Sequence, residues 1–273
     1  MFSNNGDGTF TECASACGLD FKLFVKGVTC ADYDNDGAMD LYLSVRNGPN
    51  VLMRNDGPEP STAGASTRNA RWKFTDVSVH ARVTQPNFSF ATWFFDFDND
   101  GWDDLFACGY GINHVGDIAD DYIHRPSKAT TPRLYRNLGD GTFTNVTAEV
   151  GLRRVCHTMG CSFGDLDNDG WLDFYLATGD PDLATLIPNR MFWNDRGSRF
   201  REVTTATGTG HLQKGHGVSF ADLDNDGDQD IYASIGGAYS GDIARNVLFM
   251  NPGSTNQWVT LRLVGTRANC AAI

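Results

Sequence analysis

Four nine-residue segments of one form, Asp-x-Asp-Asn-Asp-Gly-x-x-Asp, begin at Asp32, Asp96, Asp165 and Asp222. A segment that returns every 57 to 69 residues marks a chain built from repeated supersecondary units. A second pattern interleaves with the first: "VLMRNDG" from Val51 resuming at "WKFTDVS" from Trp72, "LYRNLGDGTFTNVT" from Leu134, and "MFWNDRGSRFREVT" from Met191. The chain opens inside this second pattern, with "MFSNNGDGTFTE", and is therefore expected to begin in the middle of a repeat.

Each repeat reads as four short strands. An alternating segment, "KGVTCA", "ATWFF", "GCSFG" or "GVSFA", precedes the aspartates, and "DLYLSV" or a relative follows them. The "LYRN" segment is the third strand, and the Asn-x-Gly-Asp-Gly turn after it is a hairpin signal leading into the fourth. Helical periodicity is nearly absent. A four-stranded sheet of this size cannot bury both faces alone, so the units must stack. The expected fold is all-β, a β-propeller of four-stranded antiparallel blades. Four units plus a leading half unit, over residues 1–255, are expected to be an excerpt of a larger ring of about seven blades.

The acidic loops carry the chemistry. Carboxylates stand at loop positions 1, 3, 5 and 9: Asp32, Asp34, Asp36 and Asp40; Asp96, Asp98, Asp100 and Asp104; Asp165, Asp167, Asp169 and Asp173; Asp222, Asp224, Asp226 and Asp230. Spacing by two in a tight loop turns alternate side chains to one centre, and the glycine at position 6 permits the turn. Hard oxygen ligands in this number suit Ca²⁺, about one per loop, with the backbone carbonyl at position 7 (Ala38, Trp102, Trp171, Asp228) as a further ligand. An EF-hand is excluded: its position 12 glutamate is replaced by Leu43, Ala107, Leu176 and Ala233, and strands stand where helices would flank it. A single such loop could be an acidic turn without an ion, but four copies with identical spacing point to a shared ligand. Without a cation, clustered carboxylates repel one another. Four bound Ca²⁺ would move the formal charge from −12 to about −4.

The pairing of Asp-x-Asp-Asn-Asp-Gly-x-x-Asp with Asn-x-Gly-Asp-Gly-Thr-Phe resembles the FG-GAP/VCBS family of calcium-loop propeller repeats, and Phe163-Gly164 stands where that family's Phe-Gly pair is expected. The other three units have Cys30-Ala31, Phe94-Phe95 and Phe220-Ala221 there, so the resemblance rests on the aspartate loops. The last segment, "NQWVTLRLVGTRANCAAI" over residues 256–273, resembles the start of the ASPIC/UnbV domain of cartilage-acidic-protein-like chains. The resemblance implies a non-catalytic secreted or cell-surface calcium-binding propeller that serves as a recognition or adhesion scaffold.

Strand parity separates two rims. If the acidic loop joins strands one and two, the Gly-Asp-Gly turn joins three and four on the same rim, and the two-to-three loops emerge opposite. A protein or glycan ligand is expected on that opposite rim, where residues 109–132, 179–189 and 236–246 make long loops. The richest, residues 109–132, carries Tyr110, His114, Tyr122, His124 and Arg125. Residues 56–71 read as an inserted surface loop.

Other classes are weighed against this one. A calcium-dependent polysaccharide lyase would use a histidine or tyrosine base and an open calcium site. His157, His211 and His216 are placed to line a channel, yet no nucleophile elbow, HExxH or phosphate loop accompanies them. A quinone propeller dehydrogenase would show tryptophan docking repeats, whereas Trp102 and Trp171 lie inside the acidic loops. The pI near 4.8 argues against nucleic-acid binding. No apolar run reaches the length of a transmembrane helix. Extracellular-type calcium modules fill only outside the cytosol, so a secreted, periplasmic or cell-surface location is expected. There Cys13 with Cys17, and Cys156 with Cys161, could form local disulfides or remain free thiols, and Asn87 and Asn145 head glycosylation sequons.

Overall fold

The computed structural model describes residues 1–58, 72–179, 187–237, 240 and 244–259. A hairpin of β1 (Phe2–Asn4) and β2 (Phe10–Glu12) leads into four antiparallel sheets. The first holds β3 (Val25–Ala31), β4 (Asp40–Val45), β5 (Val51–Pro58) and β6 (Trp72–Asp76). The second holds β7 (Ser89–Phe95), β8 (Asp104–Gly109), β9 (Arg133–Asn137) and β10 (Phe143–Asn145). The third holds β11 (Thr158–Gly164), β12 (Asp173–Thr178), β13 (Arg190–Asn194) and β14 (Phe200–Glu202). In the fourth, the described residues form β15 (Gly215–Ala221), β16 (Asp230–Ile235) and β17 (Val247–Phe249). Among the described residues three short α-helices lie between strands: α1 (Ser78–Ala81), α2 (Val115–Tyr122) and α3 (Thr204–Thr207).

Strand order within each sheet follows the chain, so every acidic loop falls on one rim together with the Gly-Asp-Gly turn between β9 and β10, and the β4–β5 and β8–β9 connections fall on the other. The sheets also succeed one another in chain order, with first strand beside first strand: β3 against β7, β7 against β11, and β11 against β15. Apolar side chains fill each interface. Between sheets two and three, Trp93 stacks on Phe106 at 4.2 Å between ring centroids, and Phe95, Phe163 and Phe174 complete an aromatic core. Tyr42, Phe94 and Leu105 close the interface of sheets one and two, and Tyr175, Met191 and Ile231 that of sheets three and four.

Stacking decides where alternation survives. The second strands β8 and β12 are buried at every position, because neighbours cover both faces. β15, in the last described sheet, keeps an alternating pattern with every second residue from Gly217 exposed. Close approach of the first strands sets a steric demand. A Cβ on Gly160 would overlap the His216 carbonyl, and one on Gly27 would come within 2.6 Å of the Phe90 carbonyl. Gly160→Ala is therefore expected to lower stability by about 1–3 kcal/mol through forced separation of sheets three and four. An unchanged urea midpoint would show that the interface can relax.

Two features differ from expectation. The segment 109–132, expected as a long loop, contains helix α2, whose Ile118 packs with Val155 and Ile187. Its eight residues are too few to impose a visible period. Residues 56–58 extend β5, while the rest of the expected insertion, and residues 260–273 of the ASPIC/UnbV-like segment, fall outside the described residues.

Candidate metal centres and the opposite rim

All four acidic loops have one backbone path. The asparagine at position 4 (Asn35, Asn99, Asn168, Asn225) is left-handed at φ 53 to 61°, and the position 6 glycine follows at φ 87 to 95°. Asparagine tolerates that region because its side chain bonds locally, and glycine because it has no Cβ. The position 1 carboxylate then accepts two backbone N–H bonds across the turn. Asp36 and Gly37 donate to Asp32 at 2.9 and 2.8 Å, and the same pair recurs at Asp96, Asp165 and Asp222. The position 5 carboxylate accepts from the N–H of position 7, as Asp36 does from Ala38 at 2.8 Å.

Position 9 plays a different part. Asp40, Asp104, Asp173 and Asp230 start the second strands and are buried. One oxygen of each accepts from the N–H of position 2, at 3.0 to 3.2 Å. The other accepts from the N–H of an asparagine in or just beyond the third strand: Asn55 within β5, Asn137 and Asn194 at the ends of β9 and β13, and Asn251 two residues after β17, at 2.7 to 2.8 Å. Each carboxylate thus ties its loop to its own sheet. Each oxygen keeps a second lone pair for another ligand. Burial pushes Asp40 up to about 7 and Asp104 and Asp173 up to about 8, even though the backbone N–H bonds pull the other way.

The loops gather ligand atoms into triads within 4.8 Å. Asp32, Asp34 and Asp36 meet in the first loop, and Asp222, Asp224 and Asp226 in the fourth. In the second and third, positions 1 and 3 meet position 9 instead: Asp96, Asp98 and Asp104, and Asp165, Asp167 and Asp173. Asp40, Asp100, Asp169 and Asp230 stand in the same loops outside these triads. Position 3 is the unsatisfied member. One oxygen each of Asp34, Asp98 and Asp167 is buried with no hydrogen-bond partner. Asp34 and Asp98 have raised pKa values, first from burial and then from neighbouring carboxylates. The other Asp98 oxygen lies 2.8 Å from Arg136 Nε, and that of Asp167 accepts from Trp193 Nε1 at 3.0 Å.

The third-strand asparagines were not singled out by the sequence, although one recurs at the same place in every repeat. Their amides clasp neighbouring sheets. Asn137 Nδ2 donates to the Tyr33 carbonyl of the preceding loop at 2.8 Å and to the Asp103 carbonyl of its own loop at 3.0 Å. Asn194 does so to Phe97 and Leu172, and Asn251 to Leu166 and Gln229. Among the described residues, Asn55 Nδ2 donates only to its own loop, at the Met39 carbonyl. A second link runs from loop to loop, as Asn99 Nδ2 donates to the Gly170 carbonyl at 2.9 Å.

On the opposite rim the structure divides the residues of the 109–132 segment. Tyr110 is half-buried, stacked on His157 and in tilted contact with Phe90, whereas His114, Tyr122, His124 and Arg125 are exposed. Tyr122 lies beneath Arg190, 5.4 Å from its guanidinium. His157 is buried against Tyr110, at 4.0 Å between ring centroids. Neither local disulfide forms: Cys13, Cys156 and Cys161 carry free thiols, and Cys161 has Cys108 as its thiol neighbour across the sheet interface. No helix among the described residues is long and apolar enough to cross a membrane.

A family model for FG-GAP-like repeats matches residues 96–176 and 177–233. Cartilage acidic protein 1 of Homo sapiens is 28% identical over 185 residues, covering 66% of this chain and 24% of that protein. The Xenopus tropicalis protein of the same name is 25% identical over 181 residues, covering 66% and 25%. The chain thus spans about a quarter of the length of these relatives. A solved structure of an Agrocybe aegerita lectin, described by its recognition of non-reducing terminal N-acetylglucosamine, superposes with a TM-score of 0.46 at 18% identity. That match covers 97% of this chain and 60% of the lectin chain.

Proposed function

Because the chain belongs to the FG-GAP-like repeat family, we propose that it is a non-catalytic recognition module, part of a β-propeller whose acidic loops each hold a Ca²⁺. The observation that carries this reading is the buried, unpartnered oxygen of Asp34, Asp98 and Asp167 inside an acidic triad. A buried carboxylate oxygen without a donor is costly, and a hard divalent cation supplies the missing partner. The position 1, 3, 5 and 9 aspartates of each loop, with the position 7 carbonyl, would hold the ion. Bound there, the ion neutralises the carboxylates. The chain's own residues do the rest: position 9 fixes the loop to strands two and three, and the asparagine amides pass that order to the next sheet.

In this reading residues 1–255 are the propeller part and residues 256–273 begin an ASPIC/UnbV-like domain. A rim stiffened by calcium leaves the opposite rim to contact a protein or glycan. An acidic protein of cartilage, as the relatives are named, fits a secreted or cell-surface chain, where millimolar Ca²⁺ fills sites of modest affinity.

Chelation with EDTA is expected to lower Tm by about 10 °C or more, since several sites each contribute on the order of 2–3 kcal/mol near saturation. Elemental analysis of the untreated protein should find bound calcium. A chain that carries no calcium and melts identically with and without EDTA would sink the proposal.

A further inference from the structure

We propose that a cavity on the rim opposite the acidic loops binds an anionic saccharide, one or two rings bearing a carboxylate or sulfate group. The cavity, of about 420 Å³, lies within the size range of small-ligand sites, about 300–1,000 Å³. Four separate stretches of chain build it: the β4–β5 turn, the link into β7, both ends of the 109–132 segment, and the residue before β11.

Its charge runs against that of the molecule. The chain carries a formal charge of −12, yet among the described residues the two formally charged ones that line the cavity, Arg46 and Lys128, are both cations, and no carboxylate lines it. Asp117, which adjoins through Asn113, has one oxygen engaged by the backbone N–H groups of Asn113 and His114. A local positive site on an acidic surface selects a small anion over an extended polyanion, which the rest of the surface would repel.

The remaining lining is that of a sugar site. Asn47 and Asn113 carry exposed carboxamides able to donate and accept, as ring hydroxyls require. Phe88 and Tyr110 form an aromatic wall, stacked at 5.8 Å and nearly parallel at 8°. Arg46 lies over Phe88 at 5.1 Å and over Phe24 at 5.5 Å, which holds its guanidinium beside that wall. Because the rings already stack on one another and on His157, no slot is open between them for a flat base. The frame is fixed by backbone: Arg46 bridges Phe88, Tyr110 N–H donates to the Phe88 carbonyl at 3.0 Å, and Thr130 N–H donates to Gly111 at 2.7 Å. A preformed site of this kind spends little binding energy on ordering.

This inference rests on the reading of the chain as a recognition module, and one set of samples separates the two. Calcium-saturated protein is titrated by calorimetry with a hyaluronan tetrasaccharide, which carries carboxylates; a keratan sulfate tetrasaccharide, which carries sulfates without uronate; and neutral chitotetraose. At least one charged tetrasaccharide is expected to bind with a Kd below about 1 mM and at least tenfold more tightly than chitotetraose. Which one binds identifies the anionic group. Arg46→Ala and Lys128→Ala should each weaken binding about tenfold, with Tm unchanged for Lys128→Ala. Arg46→Lys, which keeps the charge, should recover part of the Arg46→Ala loss. Overturning results are no binding of either charged probe, equal binding of the neutral one, or full binding by the Arg46→Ala/Lys128→Ala double variant. Calcium content and Tm are recorded on the same protein. A calcium-loaded, EDTA-sensitive chain that ignores all three sugars defeats the saccharide site and leaves the metal reading standing.

Discussion

Stripped of divalent cations, the protein is expected to lose thermal stability steadily as pH is raised from about 4 to about 8, and millimolar Ca²⁺ is expected to remove most of that loss. The groups responsible are three position 9 carboxylates, Asp40 raised to about 7 and Asp104 and Asp173 to about 8 by burial. In the unfolded chain they titrate near 3.8. A folded-state pKa above the unfolded one means that the folded state holds its proton longer. The stabilisation is complete below about 4 and disappears as pH passes through 7 to 8. At about 1.4 kcal/mol per pKa unit, ionising one such group inside the metal-free fold costs on the order of 5 kcal/mol. Asp56, Asp117 and Asp140 are shifted downward, so their contribution is already complete above about 4 and leaves the window undisturbed. Calorimetric scans at pH 5, 6, 7 and 8, with EDTA and with Ca²⁺, give the test. Calcium binding near pH 6.5 should also release protons, seen as a dependence of binding heat on the buffer. A metal-free Tm that is flat or rises across this range would refute the assignment.

Asn137→Ala should be strongly damaging for a single truncation of a side chain on the acidic rim, at about 3–5 kcal/mol in calcium-saturated protein. The change removes both amide donations, to the Tyr33 and Asp103 carbonyls, and the acceptor used by the Gly139 N–H. Each polar group so orphaned costs about 1–3 kcal/mol where water does not reach it. Asn55→Ala provides the comparison within the same molecule. Among the described residues the Asn55 amide donates within its own loop but not to a preceding sheet, so its loss should be smaller by about 1–2 kcal/mol. Equal urea midpoints for the two variants would mean that the cross-sheet clasp contributes nothing.

The acidic loops were legible in the sequence because everything that shapes them lies within nine residues. Asp32 accepts from Asp36 and Gly37, and the left-handed positions are held by Asn35 and Gly37, so the spacing of residue types records the geometry directly. Asn137 was not legible, although it recurs in register, because its amide serves a carbonyl 104 residues away in another sheet. Helix α2 was hidden for a different reason: Ile118 alone of its apolar residues is buried, too little for a period.

From sequence alone came the repeat, the strand order within each sheet, the common rim of the acidic loops, and the sixteen aspartates that form them. These follow from local turns and from pairing between strands adjacent in the chain, which a linear pattern encodes. The tertiary structure decided the rest: which aspartates approach one another, which asparagines clasp the sheets, why β8 loses its alternation, and how Arg46, Phe88, Tyr110 and Lys128 come to face one cavity. Those relations depend on how one sheet stacks on the next. Stacking is set by side-chain volume and burial summed over whole faces, which no single stretch of residues displays.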